Sequence, residues 1–151
     1  MHLCTGILIR AGRVLLVASR YPNQAEPLWN LPGGRRRPGE LLEATLRREF
    51  AEETGLAVRR GPLAYVSESH DPVSGTHFLN VTFEVAADGE PALPAGDPKL
   101  AGLAWVARED IATRIVPAVV REPLAAYLRG EGGRYFGFGV ADVAIEFAEP
   151  A

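Results

Sequence analysis

Apolar and polar positions alternate along the first third of the chain in a way that predicts strands. Leu3 to Arg10 and Arg13 to Ser19 are apolar runs joined by Ala11-Gly12, which predicts a β-hairpin. Tyr21 to Pro27 is polar and reads as a loop. Trp29-Asn30-Leu31-Pro32 is a short extended piece that Pro32 stops. Between Glu40 and Thr54 the period changes to that of a helix. Leu42, Leu46 and Phe50 recur at every fourth residue, and Gly55 follows as the residue favoured just past a helix end. Glu40 and Glu43 suit the positive end of that helix.

Strands then return. Leu56 to Ser67 reads as a strand broken by Gly61-Pro62, and Phe78 to Ala86 alternates as a second. Ala87 to Lys99 is rich in Asp, Gly and Pro and reads as a loop. Leu103 to Val106 is a short strand, and Pro117 to Leu128 a second helix with proline at its start. Tyr135 to Phe147 mixes glycine, aromatic and β-branched residues, which predicts one or two terminal strands. The order implies one α/β domain over residues 1–151, with a mixed sheet between helices and an extra strand segment at 134–147.

Composition narrows the classes. A chain of 151 residues fits one domain and can bury a core without staples. Apolar residues at 47% and charged residues at 23% are an ordinary globular balance. A net charge of −3 gives no global pull toward nucleic acid or an anionic membrane. The single cysteine, Cys4, excludes an intrachain disulfide and a cysteine-based zinc site. No apolar run approaches the roughly 20 residues that span a bilayer. A soluble cytoplasmic protein is the simplest expectation.

The central helix carries the candidate chemistry. On a wheel of about 100° per residue, Glu53 falls between Leu42 and Leu46, and Glu49 sits just beyond Leu42. Glu52 flanks Glu49, so the three carboxylates neighbour one another. An ordinary solvated helix, with a pair such as Arg48–Glu52, is the plain alternative. It leaves a glutamate in the apolar sector, where an unpartnered charge is costly. Divalent cations relieve both problems, and hard oxygen ligands suit Mg²⁺ or Mn²⁺. Gly33, Gly34 and Gly39 sit in the turn before the helix, and Arg35 to Arg37 offer contacts for phosphate.

The spacing Gly34-x5-Glu40-x7-Arg48-Glu49-Phe50-x-Glu52-Glu53-x-Gly55-Leu56 resembles the Nudix box at every defined position. Trp29-Asn30-Leu31-Pro32-Gly33-Gly34 is similar to the family's lead-in, and Leu103 to Val106 to its Trp-containing strand. The resemblance covers roughly residues 3 to 128. It implies an α/β/α sandwich with the box as loop–helix–loop. It also implies Mg²⁺-dependent cleavage of a pyrophosphate bond in a nucleoside diphosphate linked to another group. By this carry-over Glu49, Glu52 and Glu53 hold metal, and Arg48 orients them. Gly33, Gly34, Arg35 and Glu40 form the substrate loop, which Glu40 braces. The base is Glu52 or Glu49. Many relatives carry glutamates before the Trp-containing strand, where this chain has Lys99 and Gly102. Asp97, Asp88 and Glu90 are the substitutes at hand.

Pro72, sixteen residues past Leu56, hints at ADP-ribose or a nucleotide sugar as substrate, although an ordinary Asp-Pro turn is the stronger explanation of it. Nucleoside triphosphates and dinucleoside polyphosphates stay open, and Tyr65 comes too early for the latter's signature. Trp29 could stack on a base or pack at a strand edge, and His70 is a candidate substrate contact. A homodimer is a family habit. Two other readings compete: a nucleotide-binding regulatory module without turnover, and a prenyl diphosphate isomerase. The isomerase needs a reactive cysteine, which Cys4 in a first strand does not suit.

Overall fold

The structure is a computed structural model that describes residues 1–131 and 134–147. The other residues of the expected 1–151 domain lie outside the described residues. In chain order the elements are β1 (His2–Ile7), β2 (Ile9–Arg10), β3 (Arg13–Ser19), β4 (Leu28–Asn30), β5 (Gly33–Arg35), α1 (Leu42–Thr54), β6 (Arg59–His70), β7 (His77–Ala86) and β8 (Leu100–Ala107). A 3-10 turn at Arg108–Asp110 leads into α2 (Ile111–Arg114), α3 (Ala118–Leu128) and β9 (Tyr135–Val140).

Two sheets form the middle layer. The larger is mixed and ordered β5-β1-β7-β6-β9, with parallel pairs β1–β7 and β6–β9. The smaller is antiparallel and centred on β3. Strand β8 runs along one edge of β3 from Arg13 to Ser19, so β2 and β4 share the other edge.

Consecutive residues of β3 show why helices cover both faces. Leu15 packs with Leu46, Phe50 and Val58 beneath α1, while Val14 and Leu16 pack with Ile111, Ile115 and Leu124 of the other helical layer. A strand apolar on both sides must be covered on both sides. The result is the α/β/α sandwich. Leu46 and Phe50 are 0% exposed, and burying each stabilises the fold by about 1.5–3 kcal/mol. Gly6 makes room for this packing, since a Cβ there would lie 2.6 Å from the Phe50 ring.

The hairpin expectation holds only at its turn. Ile9 and Arg10 pair with Val14 and Arg13, but the chain changes sheets at Leu8, and β1 joins β5 and β7 instead. Alternation reports which faces are buried and is silent about the neighbouring strand. The glycine turn also forms a strand: Gly33 and Gly34 pair with Thr5 and Cys4 as β5.

Helix α1 begins at Leu42, two residues later than the periodicity predicts, because Glu40 turns back into the loop. Its carboxylate accepts from the Arg37 N–H at 2.8 Å and from the Thr45 hydroxyl at 3.1 Å. The helix ends at Gly55, which adopts φ 73° and donates to the Ala51 carbonyl. The break foreseen at Gly61-Pro62 appears as a register shift within β6 between Arg60 and Leu63. Of the terminal segment, Tyr135–Val140 pairs with β6, whereas 141–147 forms no strand. Among the described residues no helix is long and apolar enough to cross a membrane.

Candidate active site

Strand β5 and helix α1 build the floor of a cleft of about 560 Å³. Gly33 has φ 150°, and a Cβ on it would stand 2.1 Å from the Cys4 carbonyl oxygen. At Gly34 a Cβ would stand 2.6 Å from the carboxylate of Glu49. The two glycines therefore let β5 lie against β1 and let α1 bring its carboxylates close to β5.

Arg48 ties the loop to the helix. Its Nε donates to Glu40 Oε2 at 2.8 Å and its Nη2 to Glu40 Oε1 at 3.0 Å. The same Nη2 donates to the Arg35 carbonyl at 2.9 Å. Nη1 donates to Glu49 at 2.9 Å and reaches Glu52 at 3.4 Å. The two bonds from Arg48, with the Arg37 N–H, hold the Glu40 carboxyl down to about 2. The same bond to Glu40 raises the pKa of Arg48. Glu40 therefore stands at the loop–helix joint rather than in the open cleft.

Glu53 and Glu49 lie deeper. Glu53 Oε1 accepts the Gly33 N–H at 2.8 Å. Burial, and then the charge of Glu49, push its pKa well above the usual carboxylate range. Burial also raises Glu49, against the opposing pull of Arg48. Both shifts arise first from burial, opposed at Glu49 by Arg48 and at Glu53 by the Gly33 N–H. Glu52 lies nearer the rim, 47% exposed, between Arg48 and Arg37 at 3.4 and 3.9 Å.

All three glutamates line this one cleft. Their carboxylates are not gathered around a common point: among the described residues no three His, Cys, Asp or Glu side chains form a ready metal site. The donor set still fits a hard divalent cation. It is all oxygen, Glu49 and Glu53 are carboxylates drawn into the floor, and Glu52 is 47% exposed at the rim.

The opposite side carries residues that the sequence pattern left undecided. Asp97 and Lys99 face the same cleft, and Asp97 accepts the Lys99 N–H at 2.9 Å. Asp88 and Glu90 do not line it and pair instead with Arg59 at 3.3 Å and Arg10 at 3.7 Å. Arg35, Arg36 and Arg37 form a basic rim. Tyr21, read only as part of a loop, lines the cleft too. Burial, then the charge of Glu53, raise its hydroxyl to about 12.

A smaller apolar hollow of about 130 Å³ adjoins the cleft and shares Tyr21, Asn30, Gly33, Gly34 and Phe147 with it. Leu28, Trp29, Phe78 and Val120 are among its walls, and Thr5, Ser67, Ser69 and Asn80 are among its polar members. Thr5, Ser67 and Ser69 are buried although polar. The polar run Ser67-Glu68-Ser69-His70 at the end of β6 gave no pattern that pointed to this hollow. Trp29 lines the hollow while Arg114 lies over its ring at 5.0 Å. His70 lines neither space and lies beside His77, ring centroids 5.1 Å apart and tilted by 51°. Pro72 is exposed in the β6–β7 turn and also lines neither. Cys4 is buried, and burial pushes its thiol up to about 12, so it is no nucleophile.

A sequence model described as the NUDIX domain matches residues 1–127. A Mycobacterium tuberculosis protein provisionally named 8-oxo-dGTP diphosphatase 2 is 42% identical over 108 residues, 70% of this chain and 72% of that protein. An 8-oxo-dGTP diphosphatase of Buchnera aphidicola is 32% identical over 59 residues, 39% of this chain and 45% of its own length. A further M. tuberculosis relative is matched over 52% of its length, so the chain spans about half of these last two proteins. Among solved structures, a MutT NUDIX hydrolase from Burkholderia pseudomallei superposes with a TM-score of 0.70 at 30% identity, covering 82% of this chain and 94% of that one. A MutT protein from Methanosarcina mazei shares the fold, with a TM-score of 0.73 at 22% identity over 86% of this chain and 94% of its own.

Proposed function

The chain belongs to the NUDIX domain family, and on that premise we propose that it hydrolyses a nucleoside triphosphate to the monophosphate and pyrophosphate, with Mg²⁺ or Mn²⁺ as cofactor. The observation that carries this reading is the cleft itself. Glu49, Glu52 and Glu53 line it together, beneath a rim of Arg35, Arg36, Arg37 and Lys99. Such a site suits a polyphosphate and its divalent cation together.

Glu49, Glu52 and Glu53 are the ligands in this reading, and Asp97 adds a carboxylate from across the cleft. The cation, when bound, neutralises phosphate oxygens and polarises the attacking water. Arg48 fixes the direction of Glu49, and Glu40 fixes Arg48. Glu49, held on the cleft floor by Arg48 at 2.9 Å, takes the proton in this reading. Water oxygen bonds to phosphorus as the bridging P–O bond between the α- and β-phosphates breaks, and the basic rim would neutralise the charge on the separated phosphates. Gly33 and Gly34 keep β5 close to β1 and to the Glu49 carboxylate, and so set the floor on which the phosphates would lie.

The relatives named 8-oxo-dGTP diphosphatase support the triphosphate class, with an oxidised guanine nucleotide as the first member to try. The lean toward ADP-ribose rested on Pro72, which stands away from the cleft in an ordinary turn. The test is a screen with Mg²⁺ and with Mn²⁺. Substrates are the four deoxynucleoside triphosphates, 8-oxo-dGTP, ADP-ribose, nucleotide sugars and dinucleoside polyphosphates, with chromatographic product analysis. Monophosphate and pyrophosphate from a triphosphate is the expected result. Turnover confined to ADP-ribose or sugar nucleotides, or none at all with metal present, overturns it.

A further inference from the structure

The family match stops at residue 127, yet one wall of the groove comes from beyond it. After β9 the chain runs back as a strap over residues 141–147. Ala141, Val143, Ile145 and Phe147 all line the apolar hollow, at every second position. The intervening Asp142 and Glu146 are exposed. This is the alternation of an extended chain with one face on a pocket.

The strap is tied down at each step. Ala141 N–H donates to the His70 carbonyl at 2.8 Å, and Ile145 N–H to the buried Asp71 carboxylate at 2.9 Å. The Ala144 carbonyl accepts from the amides of Asn23 and Gln24 at 2.8 and 2.7 Å. Asn23 in turn accepts the Glu146 N–H at 3.0 Å. Asp142 accepts the Ala118 N–H at the start of α3, at 3.1 Å. The strap is thereby fixed to β6, to the β3–β4 loop and to α3.

Phe147 occupies the junction. It lines both the hollow and the charged cleft, with Arg35 over its ring at 5.0 Å and Tyr21 edge-on at 5.8 Å. The geometry points to the strap as the element that selects the nucleoside half of the substrate, with Phe147 as the stacking wall for a nucleobase whose phosphates lie in the cleft. This rests on the nucleotide reading above. The chemistry of the hollow argues for a base over a purely apolar group. Its walls are aromatic and aliphatic, while Ser67 and Ser69 add hydroxyls and Asn80, which donates to Thr5 and Thr82 at 3.2 and 3.3 Å, adds a fixed amide suited to a base edge.

The experiment uses the full chain with Phe147→Ala, Phe147→Trp and Asn23→Ala, each checked for folding by its melting curve. Phe147→Ala should raise KM for dGTP and the dissociation constant of dGMP by about fivefold or more, the equivalent of about 1 kcal/mol of stacking. The kcat should stay within about twofold, because the carboxylates are untouched. Inhibition by inorganic tripolyphosphate, which has no base, should be unchanged. Phe147→Trp should restore dGTP binding, and Asn23→Ala, which frees the strap without lining the hollow, should weaken it. An equal loss of dGTP and tripolyphosphate binding would mean that Phe147 acts through Arg35, and the proposal fails. Unchanged dGTP binding in Phe147→Ala also overturns it, while leaving the hydrolase reading intact. If the unaltered protein neither binds nor cleaves any nucleotide, both readings fall.

Discussion

Gly34→Ala separates the chemistry of this cleft from the stability of the fold. Gly34 is not among the glycines with positive φ, so alanine suits its backbone. A Cβ there would lie 2.6 Å from the Glu49 carboxylate, and ordinary contact begins near 3.4 Å. The difference, 3.4 − 2.6, requires Glu49 to retreat by about 0.8 Å. A displacement near 1 Å in a catalytic group costs on the order of 100-fold in rate. The fold should hold, because the clash is with the far end of the Glu49 side chain and not with backbone. The roughly 0.4–1 kcal/mol gained through the unfolded chain is offset by the loosened Glu49–Arg48 pair, so the melting temperature should stay within about 4 °C of the parent. The assay pairs steady-state rates at saturating Mg²⁺ with thermal melting of the metal-free protein. The double variant Gly34→Ala with Glu49→Gln should be no slower than Glu49→Gln alone, because both act on one group. A Gly34→Ala enzyme within threefold of the parent rate, by the same order-of-magnitude reasoning, would refute the claim that the position of Glu49 governs turnover.

Glu53→Gln should abolish turnover while raising the melting temperature of the metal-free protein, because it removes a charge that burial disfavours. The pH dependence follows from the same shift. With a folded pKa raised above the ordinary 4.5, the folded chain binds more protons, so stability falls as pH rises from 4.5 through the raised value. Metal-free protein should therefore lose melting temperature as pH is raised upward from 4.5, and either Glu53→Gln or saturating Mg²⁺ should flatten most of that slope in a melting series. An unaltered slope in the variant counts against Glu53 as its source. Arg48→Ala leaves Glu40 and Glu49 without their shared cation and should cost about 2 kcal/mol, lowering the melting temperature by roughly 4–8 °C. Arg48→Lys should recover less than half of this, since an ammonium cannot fork between both carboxylates. Asp97→Asn should lower kcat by about tenfold in steady-state assays, whereas Asp88→Asn and Glu90→Gln should stay within about twofold. Equal effects at all three would remove the special place given to Asp97.

What was legible in the chain alone is short in range. The stripe Leu42, Leu46, Phe50 predicted the buried face of α1, and two of its three members are fully buried. The helix stop at Gly55 and the break at Gly61-Pro62 were readable because each depends on a few adjacent residues. The box spacing brought three glutamates to one side of a helix, and they line one cleft. Contacts between distant residues were decided only by the folded chain. No local pattern tells β1 to leave β3 for β7, since a strand buried on both faces can pair with either. The Gly33–Glu53 bond spans 20 residues and exists because β5 packs beside α1. The choice of Asp97 over Asp88 and Glu90 depends on the path of a loop whose composition shows only that it is a loop. The strap that brings Phe147 to Arg35 closes a distance of more than a hundred residues, held by Asp71 and Asn23. Periodicity and spacing act through nearest turns and therefore survive in the sequence. Pairing across the fold is a property of packing, and only the tertiary structure carries it.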